Sequence, residues 1–138
     1  QRELQKTGLI VNVDVIPAAT LKDAKANGKL DIFRASWVAD YPDAENYLSL
    51  YYSNNFAPNG PNYTHFNNAL FDNWYQQAFT ETNTLQREIL YTKMDSLIMN
   101  EAPIVPLFYD EVVRFTRKNV KNLGINPINL LELKYVFK

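Results

Sequence analysis

The feature that most constrains this chain is an apolar run, Leu30–Val38, that leads directly into an acidic and aromatic corner, residues 40–43 (DYPD). The run is long enough, and apolar enough on both faces, to predict a central β-strand. Pro42 fixes its own φ and moves Tyr41 out of the helical region of the backbone. A strand over this run therefore has to end at the corner.

The residues that flank this predicted strand end are candidates for ligand binding. Asp43 is expected to cap a short helix that continues through Leu50, because a carboxylate can accept hydrogen bonds from the amides of a helix's first turn. Trp37 and Asp40 are then predicted to lie where the strand ends, and ligands of open α/β sheets bind at the carboxyl ends of strands. Two plainer interpretations stay open, with Asp40 only capping the turn and Trp37 belonging to the core.

The segments before the corner predict a βαβ unit. Leu9–Ile16 alternates valines with polar residues, which indicates a strand. Residues 18–27 carry apolar side chains at helical spacing, and Gly28 can take the left-handed position that ends a helix. With Leu30–Val38 as the second strand, the two strands should be parallel and joined by a right-handed crossover.

The second half of the chain predicts two helices followed by further strands. Asn68 is expected to cap one helix, and Asn83 with Gln86 to form a capping box for a longer one. Between the corner and these helices, Ser53–Asn67 predicts an irregular surface loop. The predicted buried stripes are Phe71, Trp74, Tyr75, Ala78 and Phe79 on the first helix and Leu90, Met94, Leu97 and Ile98 on the second. The predicted strands are Ile104–Tyr109, Val112–Arg117 and Leu133–Phe137.

Composition narrows the function classes. The chain has 138 residues, a size typical of one domain, and a formal net charge of −1, which gives no electrostatic reason to expect nucleic acid as a partner. It has no cysteine, which excludes disulfides, thiol nucleophiles and thiolate metal sites. No apolar stretch reaches the roughly 18 residues that a membrane-spanning helix needs.

Enzyme chemistry has little support in the sequence. His65 is the only histidine, and the sequence has no nucleophile-elbow serine that it could activate as a catalytic base. One histidine also cannot form a histidine-rich zinc site. A calcium loop over the acidic corner fails because Glu45 stands where the sharp turn needs glycine. The enzyme alternative that remains is a stand-alone α/β domain that acts through the carboxylates of Asp40 and Asp43.

Several motifs resemble one family of binding proteins. RASWVADYPD at residues 34–43 is similar to the solute-binding proteins of ABC importers in the oligopeptide, dipeptide and nickel family (family 5), and most similar to the oligopeptide-binding branch. NALFD at residues 68–72 and EAPIVPLFY at residues 101–109 resemble two further family motifs. The resemblance implies an α/β fold, namely a fragment of a type II periplasmic-binding-protein lobe with a mixed sheet and flanking helices. Residues 1–138 would form a single domain, the C-terminal lobe portion of a larger two-lobe protein.

The same resemblance implies a binding site rather than an active site. The aspartate that matches Asp40 pairs with the α-amino group of a peptide, and the tryptophan that matches Trp37 lines a side-chain pocket. The arginine that matches Arg34 can meet a peptide carboxylate, although Arg34 could equally pair with Asp31 or Glu45. Tyr41 completes the expected ligand-binding set. Elementary chemistry agrees for Asp40, because a carboxylate removed from water needs a cation such as a ligand ammonium.

The resemblance also implies the setting in which such a site works. We expect an oligopeptide as ligand, an ABC transporter permease as partner, a monomeric state, no cofactor and no nucleic acid. The expected location is extracytoplasmic, either periplasmic or anchored to the membrane as a lipoprotein. Within the family, a nickel-binding or sugar-binding function is the alternative.

Overall fold

The computed structural model describes residues 1–126 and 128–138. The chain divides into two compact units, residues 1–33 and residues 34–138. Each unit has its own helices, and the second contains the acidic corner and the core. No helix among the described residues is both long enough and apolar enough to cross a membrane.

The first unit contains two helices, and the second of them ends at Gly28, as predicted. Helix α1 spans Arg2–Gln5 and helix α2 spans Ala18–Ala26. Beyond α2, Gly28 has a φ of +61°, its amide donates to the carbonyl of Lys25, and the amide of Lys29 donates to the carbonyl of Ala24. This is the Schellman arrangement, which satisfies carbonyls that the helix end would leave unpaired.

The second unit is built around two long helices. A short helix α3, Glu45–Leu48, follows the corner and leads into two 3₁₀ turns, Ser49–Tyr51 and Ser53–Asn55. Helix α4 spans Ala69–Thr80 and helix α5 spans Thr84–Glu101, and the two pack against each other.

Both predicted N-caps are confirmed, one of them with an altered partner. The Asn68 side chain accepts hydrogen bonds from the amides of Leu70 and Phe71, and the Asn83 side chain accepts one from the amide of Gln86. In a complete capping box the Gln86 side chain would bind the amide of Asn83. Here the Glu81 carboxylate accepts that hydrogen bond at 2.7 Å, so the reciprocal half of the box comes from a residue two positions before the cap.

The core lies between α4, α5 and the segment that precedes them. Its centre is Phe71, which is fully buried, with Met94 of α5 buried against it. The other buried members are Leu48, Tyr51, Tyr75, Ala78 and Ile98. The predicted stripes are therefore largely confirmed, with Trp74, Leu90 and Leu97 partly buried at the edge of the core. Phe79 is the exception, because 75% of its surface is exposed.

The loop between the corner and α4 is organised by one fully buried side chain. The Asn62 amide donates hydrogen bonds to the carbonyls of Tyr52 and Phe66, and its oxygen accepts from the Thr64 hydroxyl and the Phe66 amide. Gly60 lies so close to Asn55 that a Cβ there would be 2.4 Å from the carbonyl oxygen. The predicted loop is therefore irregular but internally bonded.

The predicted α/β fold class with a mixed sheet is wrong for this chain. The described residues contain no β-strand and only two isolated bridges, a parallel one between Phe56 and Asn62 and an antiparallel one between Lys121 and Phe137. The predicted strands Leu9–Ile16 and Leu30–Val38, and with them the parallel βαβ pair, are absent. So are Ile104–Tyr109, Val112–Arg117 and Leu133–Phe137, apart from the bridge at Phe137.

The predicted strands are absent for a physical reason. A strand exists only when a neighbouring strand accepts and donates its backbone hydrogen bonds, so an apolar or alternating pattern indicates a tendency and not a pairing. Most of the apolar side chains in these segments are exposed instead of packed, for example Val15 at 94% and Phe115 at 95%.

Candidate functional site

The acidic corner is held together by the side chain of Asn46. Its oxygen accepts a hydrogen bond from the Trp37 indole nitrogen at 2.7 Å and a second from the Asp40 backbone amide at 3.2 Å. Asn46 itself is only 3% exposed. Two of the predicted site residues, Trp37 and Asp40, are therefore brought together by a residue that sequence reasoning did not identify.

Trp37 and Asp40 differ in their surroundings. Trp37 is partly buried, whereas Asp40 is exposed. Among the described residues, the Asp40 carboxylate forms no salt bridge and accepts no hydrogen bond. Asp40 therefore does not cap the turn with its carboxylate; only its backbone amide is tied into the corner.

Arg34 lies at the start of the second unit and is exposed. Its guanidinium forms no ion pair with any residue that the structure describes. Glu45, one of its two predicted partners, is held by tyrosines instead. The geometry does not connect Arg34 to Trp37 or Asp40 by any hydrogen bond.

Glu45 is a nearly buried carboxylate that joins the corner to helix α4. Its two oxygens accept hydrogen bonds from the hydroxyls of Tyr41 and Tyr75. The hydrogen bond to Glu45, followed by burial, raises the pKa of Tyr41 above its ordinary value. The Tyr41 ring remains 44% exposed. Tyr41 therefore anchors the corner through its hydroxyl and leaves part of its ring accessible.

Asp43 joins the corner to helix α5. Its carboxylate accepts from the amide of Glu45 and from the Tyr91 hydroxyl, both at 2.9 Å, and forms a salt bridge with Arg87. Burial by itself would raise the pKa of Asp43, but the hydrogen bonds and the guanidinium outweigh it and lower the pKa below its ordinary value. Burial and the Asp43 carboxylate raise the pKa of Tyr91 to about 12.

These contacts assign different tasks to the carboxylates of the corner. Asp43 and Glu45 are occupied by partners from α4 and α5, so they fix the corner to the core. Asp40 is the carboxylate that stays available. The enzyme alternative acts through Asp40 and Asp43. The Asp43 carboxylate already binds the Glu45 amide, the Tyr91 hydroxyl and the Arg87 guanidinium, so one of the two groups has a structural role.

Other chemistry has weak geometric support. The His65 ring stacks on Phe56 with centroids 4.9 Å apart, and its Nε2 lies 3.1 Å from the Ala57 carbonyl oxygen, so the ring is tied into the loop. In the described part of the chain, no group of three or more His, Cys, Asp or Glu side chains could hold a metal ion.

Sequence reasoning missed the groups that hold the corner in place. Arg87 and Tyr91 are four residues apart and therefore share a face of α5, where the guanidinium lies 5.2 Å from the ring centroid. That spacing was a usable signal for the pair, but nothing local indicated that both would reach Asp43. Nothing local indicated Asn46 either, because Glu45 beside it in the short helix is also polar.

Comparison with known proteins gives consistent results. Residues 1–59 match the family model described as bacterial extracellular solute-binding proteins, family 5 middle. The periplasmic murein peptide-binding protein MppA of Escherichia coli (strain K12) is 32% identical over 107 residues, which is 78% of this chain and 19% of that protein. The periplasmic oligopeptide-binding protein OppA of the same strain is 31% identical over 108 residues, covering 77% of this chain and 19% of that protein.

A relative from a second organism and a solved structure indicate the same family. The dipeptide-binding protein DppE of Bacillus subtilis (strain 168) is 29% identical over 118 residues, covering 86% of this chain and 21% of that protein. The unliganded open form of the MppA periplasmic murein tripeptide binding protein superposes with a TM-score of 0.65 at 30% identity, over 72% of this chain and 18% of that one. The chain thus spans about a fifth of the length of these relatives. The motifs of the corner, the sequence similarity and the shared structure lead to one conclusion: the chain belongs to the family 5 extracellular solute-binding proteins.

Proposed function

We propose that the protein binds oligopeptides outside the cytoplasm and delivers them to the permease of an ABC importer. The observation that carries the proposal is the free carboxylate of Asp40 beside a fixed Trp37. Every other carboxylate of the corner has partners within the chain, so Asp40 is the group left to bind a cation. In a peptide that cation is the α-ammonium.

The predicted ligand-binding residues have distinct roles in this proposal. Asp40 pairs with the peptide ammonium, and Trp37 offers its ring to a neighbouring side chain. Tyr41 adds the exposed part of its ring, while its hydroxyl stays bound to Glu45. Arg34 is exposed and without an ion pair among the described residues, so its guanidinium is available to a peptide carboxylate.

The names of the relatives support the ligand class and the location. MppA, OppA and DppE are named for binding murein peptide, oligopeptide and dipeptide, and the first two are named periplasmic. Transport to a permease, a monomeric state and a lipoprotein anchor belong to the proposal. Among the described residues, no observation favours the nickel or the sugar alternative.

The test is a titration of trialanine and N-acetyl-trialanine against the complete gene product. Trialanine suits the purpose because its side chains are small, so the ammonium and the backbone supply most of the recognition. Asp40 is exposed in the unliganded protein, and bound peptide would remove its carboxylate from water. Breaking a charge pair buried in this way costs about 3–5 kcal/mol, so Asp40→Asn should weaken trialanine binding by roughly 10²–10³-fold. The acetylated peptide, which has no ammonium, should bind weakly to both proteins.

Asp110→Asn is the matched control, since it removes the same charge from another exposed aspartate outside the corner. It should leave the dissociation constant of trialanine unchanged. The ammonium role would be excluded if Asp40→Asn lowered the affinity for the free and the acetylated peptide equally, or lowered neither affinity. Catalytic turnover of peptide by the wild-type protein would favour the enzyme alternative.

A further inference from the structure

We propose that Asn46 is the positioning residue of the peptide site, because one buried oxygen holds both the Trp37 ring and the backbone of Asp40. The inference rests on the proposed function, since it concerns the same site. Asn46 touches no ligand in this scheme. It acts through the two residues that do.

The geometry makes the Asn46 oxygen a shared anchor. A side-chain amide oxygen has two lone pairs, and here one receives the Trp37 indole N–H at 2.7 Å and the other the Asp40 amide N–H at 3.2 Å. The acceptor is 3% exposed, so water cannot readily replace it. Removing this oxygen would take away the partner of both N–H groups, and the hydrogen bonds that fix the Trp37 ring and the Asp40 backbone would be lost together.

Asn46 is itself held rigidly by its neighbours in the chain. The preceding residue, Glu45, is bound by a tyrosine of the corner and by Tyr75 of α4. The start of α3 is held by Asp43, which is bound by Arg87 and Tyr91 of α5. The anchor therefore sits on a short helix that is tied to both long helices.

The core therefore determines how Trp37 and Asp40 are oriented in the proposed ligand site. The polar edge of the Trp37 indole is fixed by Asn46, so the ring cannot rotate about its side-chain bonds without breaking that hydrogen bond. The Asp40 carboxylate projects from a backbone fixed at its own amide. Preorganisation of this kind lowers the ordering cost that a ligand would otherwise meet on binding.

The experiment compares Asn46→Leu and Asn46→Asp in the complete gene product. Leucine has a similar volume and no acceptor, whereas aspartate keeps an acceptor oxygen in the same place. Two readouts are used: the indole ¹H–¹⁵N resonance of Trp37, identified by its loss in Trp37→Phe, and the dissociation constant of trialanine. Asn68→Leu is the matched control, because Asn68 also accepts two hydrogen bonds through its side-chain oxygen, both from backbone amides at the start of α4.

Asn46→Leu should shift the Trp37 indole resonance, accelerate its exchange with solvent, and weaken trialanine binding by roughly tenfold, the loss expected for one structural hydrogen bond. Asn46→Asp should preserve the indole hydrogen bond and bind trialanine at least as well as Asn46→Leu does. Asn68→Leu should destabilise the fold without moving the Trp37 resonance or the affinity.

Failures of the two proposals can be told apart. An unchanged Trp37 resonance in Asn46→Leu would overturn the anchor, and so would a moved resonance with unchanged affinity. If Asn68→Leu loses as much affinity for trialanine as Asn46→Leu, the effect of Asn46 on binding reflects only its contribution to overall stability. That result would also overturn the role of Asn46 as a positioning residue. Absence of trialanine binding to the wild type would instead remove the proposed function, and the role of Asn46 in binding with it.

Discussion

The helical pair α4–α5 and the segment that follows it, residues 103–117, use similar residue types with opposite results. The helices bury their apolar residues around Phe71 and Met94, which are fully buried. The following segment is also rich in apolar residues, yet Val105, Leu107 and Phe108 are exposed and no regular secondary structure forms. Apolar composition therefore does not distinguish the two regions.

What distinguishes the two regions is where the backbone finds its hydrogen bonds. A helix satisfies its own N–H and C=O groups, so it needs only one neighbouring surface to cover its apolar stripe. A strand has to find backbone partners as well as a packing surface, and both can lie far away in sequence. Local patterns therefore predict helices of this chain well and strands poorly.

The largest expected effect tests this comparison with one substitution made in each region. Phe71→Ala should lower the free energy of unfolding by about 3–5 kcal/mol, because it removes a fully buried ring and leaves a cavity. Phe115→Ala should change it by less than about 0.5 kcal/mol, since 95% of that ring is exposed. Urea unfolding of both variants measures the difference. Similar losses at the two positions would show that residues 103–117 are packed after all.

A smaller effect concerns the salt bridge that ties the corner to α5. Arg87→Met keeps an apolar side chain and removes the guanidinium, which should cost about 0.5–1 kcal/mol near neutral pH, because Arg87 is 36% exposed and solvent screens the pair. The folded pKa of Asp43 is lowered, so its stabilising contribution is complete above the unfolded value of about 3.9. That contribution is lost as the pH falls through the folded pKa.

The unfolding free energies of the wild type and Arg87→Met should therefore converge as the pH falls below about 4. Arg117→Met is the control, because Arg117 is exposed and forms no salt bridge with a described residue. The difference in unfolding free energy between Arg117→Met and the wild type should be the same at every pH. A constant gap between the wild type and Arg87→Met down to low pH would mean that the guanidinium does not act through the Asp43 carboxylate.

The last effect, no larger than that of Arg87→Met, lies at the boundary between the two regions. Ala102 ends α5 with a φ of +50°, in the left-handed region where a Cβ is unfavourable. Ala102→Gly should raise the free energy of unfolding by up to about 1 kcal/mol. The same change at Ala19, inside helix α2, should lower it by about 0.5–1 kcal/mol. Destabilisation by Ala102→Gly would show that this backbone is not strained.

Much of the fold could be predicted because its signals are local. Asn68 and Asn83 cap helices within three residues of themselves, and Gly28 ends a helix through hydrogen bonds that span at most five residues. The stripe from Phe71 to Ala78 follows from helical spacing alone. Phe79 was assigned to the core wrongly, because spacing gives the width of an apolar stripe and not how much of it a neighbouring element covers.

The candidate site was predictable in position but not in construction. Pro42 and the carboxylates around it marked the corner. Trp37 and Asp40 share the Asn46 acceptor there, although the strand end at which they were predicted to lie is absent. The groups that fix the corner, Arg87 and Tyr75, are 44 and 30 residues from their partners. No periodicity or spacing connects residues across such distances, since only packing brings them together.

The sequence by itself determined helix α2 with its end at Gly28, the two long helices with their caps, the corner and the family, because each of these depends on neighbouring residues or on a short motif. The tertiary structure alone decided that the apolar segments form no sheet and that Asp43 and Glu45 are structural. It also decided that Asp40 stays free and that Asn46 holds it beside Trp37. The physical reason is the same in each case. A hydrogen bond between residues far apart in sequence forms only when tertiary packing brings them into contact, and local conformational preferences do not determine that packing.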